Sequence, residues 1–238
     1  MKKPVEFTVE NQTLRGNFYI PEGIQKPPAV ILFHGSGGTG KNLTPLAEKL
    51  VNNGIFAFFF HFRGCGESDG LYKDQTIGNA LKDARRGFDF LLEQNVDHDR
   101  IGVLGSSFGG SLATLIMPEY PIKSLILKAP SASTRPFNSL IDIGSEEEEH
   151  NFFFYHPEKW EKAENFKNIS KFSGSLLLIE GSRDNIIPHS LIQEYYDRAT
   201  LARIKKIEVI READHRLSEE KWVSEFVNLS LEWFMMTL

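Results

Sequence analysis

The segment Gly105-Ser106-Ser107-Phe108-Gly109 matches the pattern G-x-S-x-G, in which two glycines let the chain turn tightly around a serine. It falls where the apolar run Ile101 to Leu104 ends and the helical pattern Ser107 to Met117 begins. A serine at such a strand-to-helix turn projects beyond the strand, at the positive end of a helix. Ser106 is the competing hydroxyl, but the spacing of the glycines selects Ser107. A serine hydroxyl is a weak nucleophile until a base takes its proton, and a histidine base needs a carboxylate to orient it. In this architecture the chain order is serine, acid, histidine. Asp184, in Gly181-Ser182-Arg183-Asp184, and His215, in Ala213-Asp214-His215, satisfy the order, and each follows a strand-like run. Glu180 and Asp214 are the alternative acids. The remaining histidines fit less well: His34 and His61 precede the serine, His98 lies on the approach to its strand, His150 and His156 fall in an irregular segment, and His189 opens a helix.

An acyl carbon attacked by serine develops an oxyanion, which needs preorganised donors. The N–H of Phe108, next after the nucleophile, is one. The second is expected from the loop His34-Gly35-Ser36-Gly37-Gly38, directly after the run Ala29 to Phe33; Ser36 N–H is preferred, with Gly37 as the neighbouring alternative. The same loop continues as Thr39-Gly40-Lys41-Asn42, close to the phosphate-cradling G-x-x-x-x-G-K-[S/T]. Asn42 stands where that motif needs a hydroxyl for Mg²⁺, and a nucleotide site leaves Ser107, Asp184 and His215 unexplained. Gly64-Cys65-Gly66 fails as a dinucleotide fingerprint because Asp69 stands where its third glycine belongs.

The elements that must position these residues alternate. Val5 to Glu10 and Thr13 to Ile20 read as a hairpin about Asn11-Gln12. Ala29 to Phe33 and Ile55 to Phe60 read as buried strands, and Ile101 to Leu104, Ser124 to Leu127, Leu176 to Ile179 and Ile207 to Ile210 as further strands. Helical periodicity runs over Leu43 to Leu50, Thr76 to Gln94, Ser107 to Met117, Ser190 to Ala199 and Ser218 to Met235. Repeated strand–helix–strand order predicts a mostly parallel twisted sheet with helices on both faces, whose strand carboxyl ends share one edge where the three candidates converge. The stretch Pro130 to Gly174 breaks the rhythm. It holds Glu146 to Glu149, Phe152-Phe153-Phe154-Tyr155 and Trp160, and it reads as a helical cap inserted over one end of the sheet, since a connection this long in a compact domain is usually functional.

The chain has 238 residues, a net charge of −5 and one cysteine, Cys65. The length favours one domain, 1–238, because no cut between Ser107 and His215 leaves a working unit. The mildly acidic balance lacks the footprint of a nucleic-acid binder. One cysteine excludes an internal disulfide and a Cys-rich metal site. No apolar run approaches the ~20 residues of a membrane span, and Lys2-Lys3 is followed by charged residues rather than a signal-peptide core, so a cytoplasmic protein is expected. The 19 phenylalanines are expected in the strand Phe56 to Phe60 and in the cap.

Together these residues resemble the α/β-hydrolase superfamily over nearly the whole chain. Within it the chain is similar to small bacterial serine esterases that include the cinnamoyl (feruloyl) esterases, through the aromatic strand and glycine loop from Phe58 to Gly70 and the insertion at about 130–174. The resemblance implies Ser107 as nucleophile, Asp184 as acid, His215 as base, and oxyanion donors at Ser36 and Phe108, with no metal or organic cofactor. It implies a small-molecule ester as substrate, with thioesters and peptides as alternatives and the cap aromatics as its pocket. One departure is the elbow, which reads Gly-His-Ser-Gln-Gly in those esterases and Gly105-Ser106-Ser107-Phe108-Gly109 here. A binding protein that kept the fold and lost the chemistry is the non-enzymatic alternative.

Overall fold

The computed structural model describes residues 1–132 and 163–238. Eight strands form one sheet, β1 (Lys2–Val9), β2 (Gln12–Tyr19), β3 (Ala29–Phe33), β4 (Phe56–Phe60), β5 (Ile101–Ser106), β6 (Ile122–Lys128), β7 (Ser175–Gly181) and β8 (Ile204–Ile210). Their order across the sheet is β1-β2-β4-β3-β5-β6-β7-β8. The hairpin β1–β2 is antiparallel and joins β4 antiparallel, whereas β4, β3, β5, β6, β7 and β8 run parallel. This is the expected α/β-hydrolase fold, with β5, the strand that leads to Ser107, inside the parallel part.

Among the described residues the α-helices are α1 (Thr44–Asn52), α2 (Ile77–Leu92), α3 (Phe108–Ile116), α4 (Glu164–Ile169), α5 (His189–Arg198) and α6 (Glu220–Thr237). Strand period divides the core in two. Ile31, Phe33 and Val103 turn toward α2, α3, α4 and α5, while Val30, Leu32 and Leu104 turn toward α1 and α6. Helix α2 begins where Thr76 caps it, its hydroxyl accepting the Asn79 N–H at 3.0 Å. Its stripe of Ile77, Ala80, Leu81, Ala84, Phe88 and Leu91 is buried against the sheet.

Two expectations are refined. Ile207 to Ile210 reads as a strand in sequence, and β8 extends it back to Ile204 and forms the sheet edge, where Ile204 and Val209 are exposed; an edge strand has a neighbour on one side alone. The phenylalanines also fill a site unforeseen in the sequence, where Phe7 and Phe18 of the hairpin and Phe90 of α2 pack on Phe58, with Phe7 edge-on to Phe60 at 5.2 Å. Of the stretch 130–174, the structure describes its start and its end. There α4 docks on α3 through buried amides: Asn165 Nδ2 donates to Thr114 Oγ1 at 2.7 Å, and Asn168 Nδ2 to the Thr114 carbonyl at 3.0 Å. Glu146 to Glu149, Phe152 to Tyr155, Trp160, His150 and His156 lie outside the described residues.

Candidate active site

Strand β5 delivers Ser107 to the carboxyl edge of the sheet. Ser107 has φ 52° and ψ −116°, a strained conformation for a residue with a Cβ. Its N–H is held by the Lys128 carbonyl at 2.8 Å. The flanking glycines are required by space: a Cβ on Gly105 would lie 2.4 Å from the Gly109 carbonyl oxygen, and one on Gly109 would lie 2.4 Å from that of Phe33. Ser106, the other hydroxyl, is instead the last residue of β5, in register with Lys128.

Strand β7 leads to Asp184 and β8 to His215. His215 Nδ1 stands 2.7 Å from Asp184 Oδ2, and His215 Nε2 stands 3.2 Å from Ser107 Oγ. The other oxygen of Asp184 accepts the Ile186 and Ile187 N–H groups at 2.9 and 2.8 Å, so the carboxylate is fixed from both ends. Burial opposes its charge, but the His215 bond and these two N–H groups outweigh it and hold Asp184 below the ordinary carboxylate range. His215 is held below the ordinary imidazole value: burial is the main cause, the Asp184 bond resists it, and the positive charges of Lys128 and Arg216 add to it. A neutral imidazole at neutral pH is the form that accepts a proton. The alternative acids are engaged elsewhere, Glu180 with His189 Nδ1 at 2.6 Å and Asp214 with the Ser218 hydroxyl at 2.6 Å.

The loop after β3 closes the third side. A Cβ on Gly35 would stand 3.4 Å from Ser107 Cβ, so the loop lies directly against the serine. His34 is buried and shapes it: Nε2 accepts the Phe62 N–H at 3.0 Å, which leaves Nδ1–H to donate to the Gly35 carbonyl at 2.6 Å. Burial drives its pKa down to about 4. Burial raises the pKa of the Cys65 thiol and the nearby Gly37 amide works against it, and the Ser36 N–H has no hydrogen-bond acceptor among the described residues. The Ser36 hydroxyl meets Tyr72 OH at 2.7 Å. Cys65 also accepts from Gln75 Nε2 at 3.4 Å, and its loop is anchored by Arg63, whose Nη2 donates to the buried Asp83 of α2 at 2.7 Å. Phe108 is the first residue of α3, a position whose N–H has no partner inside the helix.

Lys128, Tyr72 and Gln75 stand in none of the sequence motifs. For Lys128 a signal existed: a lone charge ends the apolar run Leu125-Ile126-Leu127 of a strand. Tyr72 and Gln75 sit in an irregular glycine-rich stretch with no period to orient them.

Residues 25–143, half of the chain, match the family model Hydrolase_4, described as serine aminopeptidase, S33. The chain belongs to the serine aminopeptidase S33 family. The match takes in β3 to β6, and with them the Gly35 loop and the Ser107 elbow, while Asp184 and His215 lie beyond it. As a whole this S33-family α/β-hydrolase is 24% identical to the protein YfhR of Salmonella typhi over 89% of its own length and 73% of that protein. Among solved structures it superposes on Est1E from Butyrivibrio proteoclasticus, solved with ferulic acid bound, with a TM-score of 0.77 at 16% identity, covering 98% of each chain. The Pyrococcus furiosus esterase Pf2001 gives a TM-score of 0.74 at 23% identity, covering 100% of this chain and 93% of that one. Among the described residues of this family member, no helix is long and apolar enough to cross a membrane.

Proposed function

We propose that this hydrolase cleaves carboxylic esters through an acyl-enzyme on Ser107. The observation that carries the reading is the continuous hydrogen-bond line from Ser107 Oγ through His215 Nε2 and Nδ1 to Asp184, with separations of 3.2 and 2.7 Å. Ser107 Oγ attacks the acyl carbon as His215 Nε2 takes its proton, and Asp184 stabilises the imidazolium that forms. The N–H groups of Ser36 and Phe108 receive the oxyanion. The Ser36 N–H has no hydrogen-bond acceptor among the described residues. His215 then gives its proton to the leaving alcohol. Water, deprotonated by the same imidazole, attacks the acyl carbon and frees Ser107. Esters are favoured as substrates by the likeness to Est1E and to the Pyrococcus esterase along nearly the whole chain.

A peptidase reading is favoured by the family description and by 35% identity over 108 residues to the proline iminopeptidase of Saccharolobus solfataricus, covering 44% of this chain and 33% of that enzyme. Two assays decide. A fluorophosphonate probe is expected to label Ser107 in the wild type and not in Ser107→Ala; folded protein left unlabelled overturns the serine mechanism. Hydrolysis of p-nitrophenyl esters of graded chain length and of methyl ferulate is expected to exceed that of aminoacyl p-nitroanilides. The reverse order assigns the protein to peptides.

A further inference from the structure

Strand β6 turns Leu125 and Leu127 to one face of the sheet and Ile126 to the other. The same period sends Lys128, its last residue, to the Ile126 side. Lys128 is 4% exposed. An ammonium group in such a place is costly unless it is partnered, and an apolar side chain of similar length fills the space without that cost. Its partner here is the backbone of the candidate base: Nζ donates to the His215 carbonyl oxygen. The Lys128 carbonyl in turn accepts the Ser107 N–H at 2.8 Å. One residue therefore grips the main chain on either side of the Ser107–His215 contact. The next residue, Ala129, has φ 42° and donates its N–H to Ile179 of β7 at 2.8 Å, so the chain beyond the grip is pinned as well.

We propose that Lys128 is a positioning residue of the hydrolytic site, holding the His215 loop at its working distance from Ser107 and setting the charge that His215 feels. The inference rests on the Ser107–His215 reading above. The charged groups facing this point are Asp184 from the loop after β7, and Asp214, His215 and Arg216 from the loop after β8. The carboxylates are already bonded, Asp184 to His215 and Asp214 to Ser218, which leaves the His215 carbonyl as the hydrogen-bond acceptor for Nζ. Burial lowers the Lys128 pKa to about 8 against the attraction of Asp184 and Asp214, so the ammonium is charged at neutral pH. That charge disfavours a second proton on His215 and keeps it a base at lower pH.

The test is the rate of fluorophosphonate labelling of Ser107 as a function of pH, in the wild type and in Lys128→Met and Lys128→Gln, with folding checked by circular dichroism. Methionine removes both the donor and the charge. Glutamine keeps a donor and removes the charge. Labelling of Lys128→Met is expected to fall by tenfold or more, since a misplacement of ~1 Å costs about 10²-fold. Its acid limb is expected to move to higher pH. Lys128→Gln is expected to show the same limb shift with a smaller loss of rate, and it decides the matter if the methionine variant does not fold. A folded variant with wild-type rate and an unmoved acid limb overturns the proposal. Equal losses in both variants with no limb movement assign Lys128 to packing and overturn it too. Failure of the wild type to label sinks the serine reading itself, and so is told apart from failure at Lys128.

Discussion

Ser107 adopts a left-handed backbone angle that few other non-glycine residues here share, and two of those, Ala129 at φ 42° and Leu217 at φ 52°, follow within two residues of Lys128 and His215. Backbone strain of about 1–3 kcal/mol per residue persists where the surroundings over-determine it, and here it gathers along the edge that carries the candidate chemistry. At this scale the decisive contact is His215 Nε2 to Ser107 Oγ. His215→Ala is expected to lower kcat for p-nitrophenyl acetate by ~10⁴-fold or more. In the wild type, kcat/KM is expected to reach its plateau below the usual imidazole pKa, because burial and the neighbouring charges of Lys128 and Arg216 depress that of His215. A plateau reached only above that pKa means that the base sits in a different electrostatic setting.

The elements meet the site by backbone contact. Gly109, in the first turn of α3, lies so close to β3 that a Cβ there would stand 2.4 Å from the Phe33 carbonyl oxygen and 2.6 Å from that of His34. Both atoms are main chain and cannot swing away. Gly109→Ala is therefore expected to push α3 from β3, to lower stability by ~1–3 kcal/mol, and to slow Ser107 labelling, because the loop proposed to hold the oxyanion begins at that same His34. Thermal unfolding and the labelling rate measure the two effects. A variant with unchanged Tm and labelling shows that the elbow tolerates a side chain. The G-x-S-x-G spacing was legible in the sequence, and the main-chain contact that enforces its last glycine was not: α3 touches β3, a strand distant in the chain. The cap aromatics Phe152 to Tyr155, expected to line the pocket, lie outside the described residues.

For the whole molecule, pH enters through His34, buried between the loop after β3 and Phe62. In the unfolded chain its imidazole takes a proton near 6.5, and in the folded protein only near about 4. Between those values the unfolded state binds more protons, so stability rises with pH through the window and is lost as pH falls. The full difference is on the order of 3 kcal/mol. Urea unfolding at pH values across the window is expected to show that decline, with His215 adding in the same direction. His34→Gln is expected to flatten it; an equal slope in the variant assigns the acid sensitivity to other groups.

The amino-acid sequence by itself determined the alternation of strands and helices, the glycine-framed serine at the end of a central strand, and the order of serine, acid and histidine. These are local: a period of two or 3.6 residues, or a spacing of a few positions, already carries the physics. Two choices were left to tertiary structure, namely which carboxylate faces His215 among Asp184, Glu180 and Asp214, and where the Lys128 ammonium goes. Each depends on a contact between residues distant in the chain, and Asp184 meets His215 across 31 positions. Glu180 and Asp214 are taken by nearer neighbours, His189 and Ser218, and Lys128 reaches the carbonyl of a residue 87 positions on. Parallel strands bring such residues to one edge, but burial and hydrogen-bond competition there decide which groups meet.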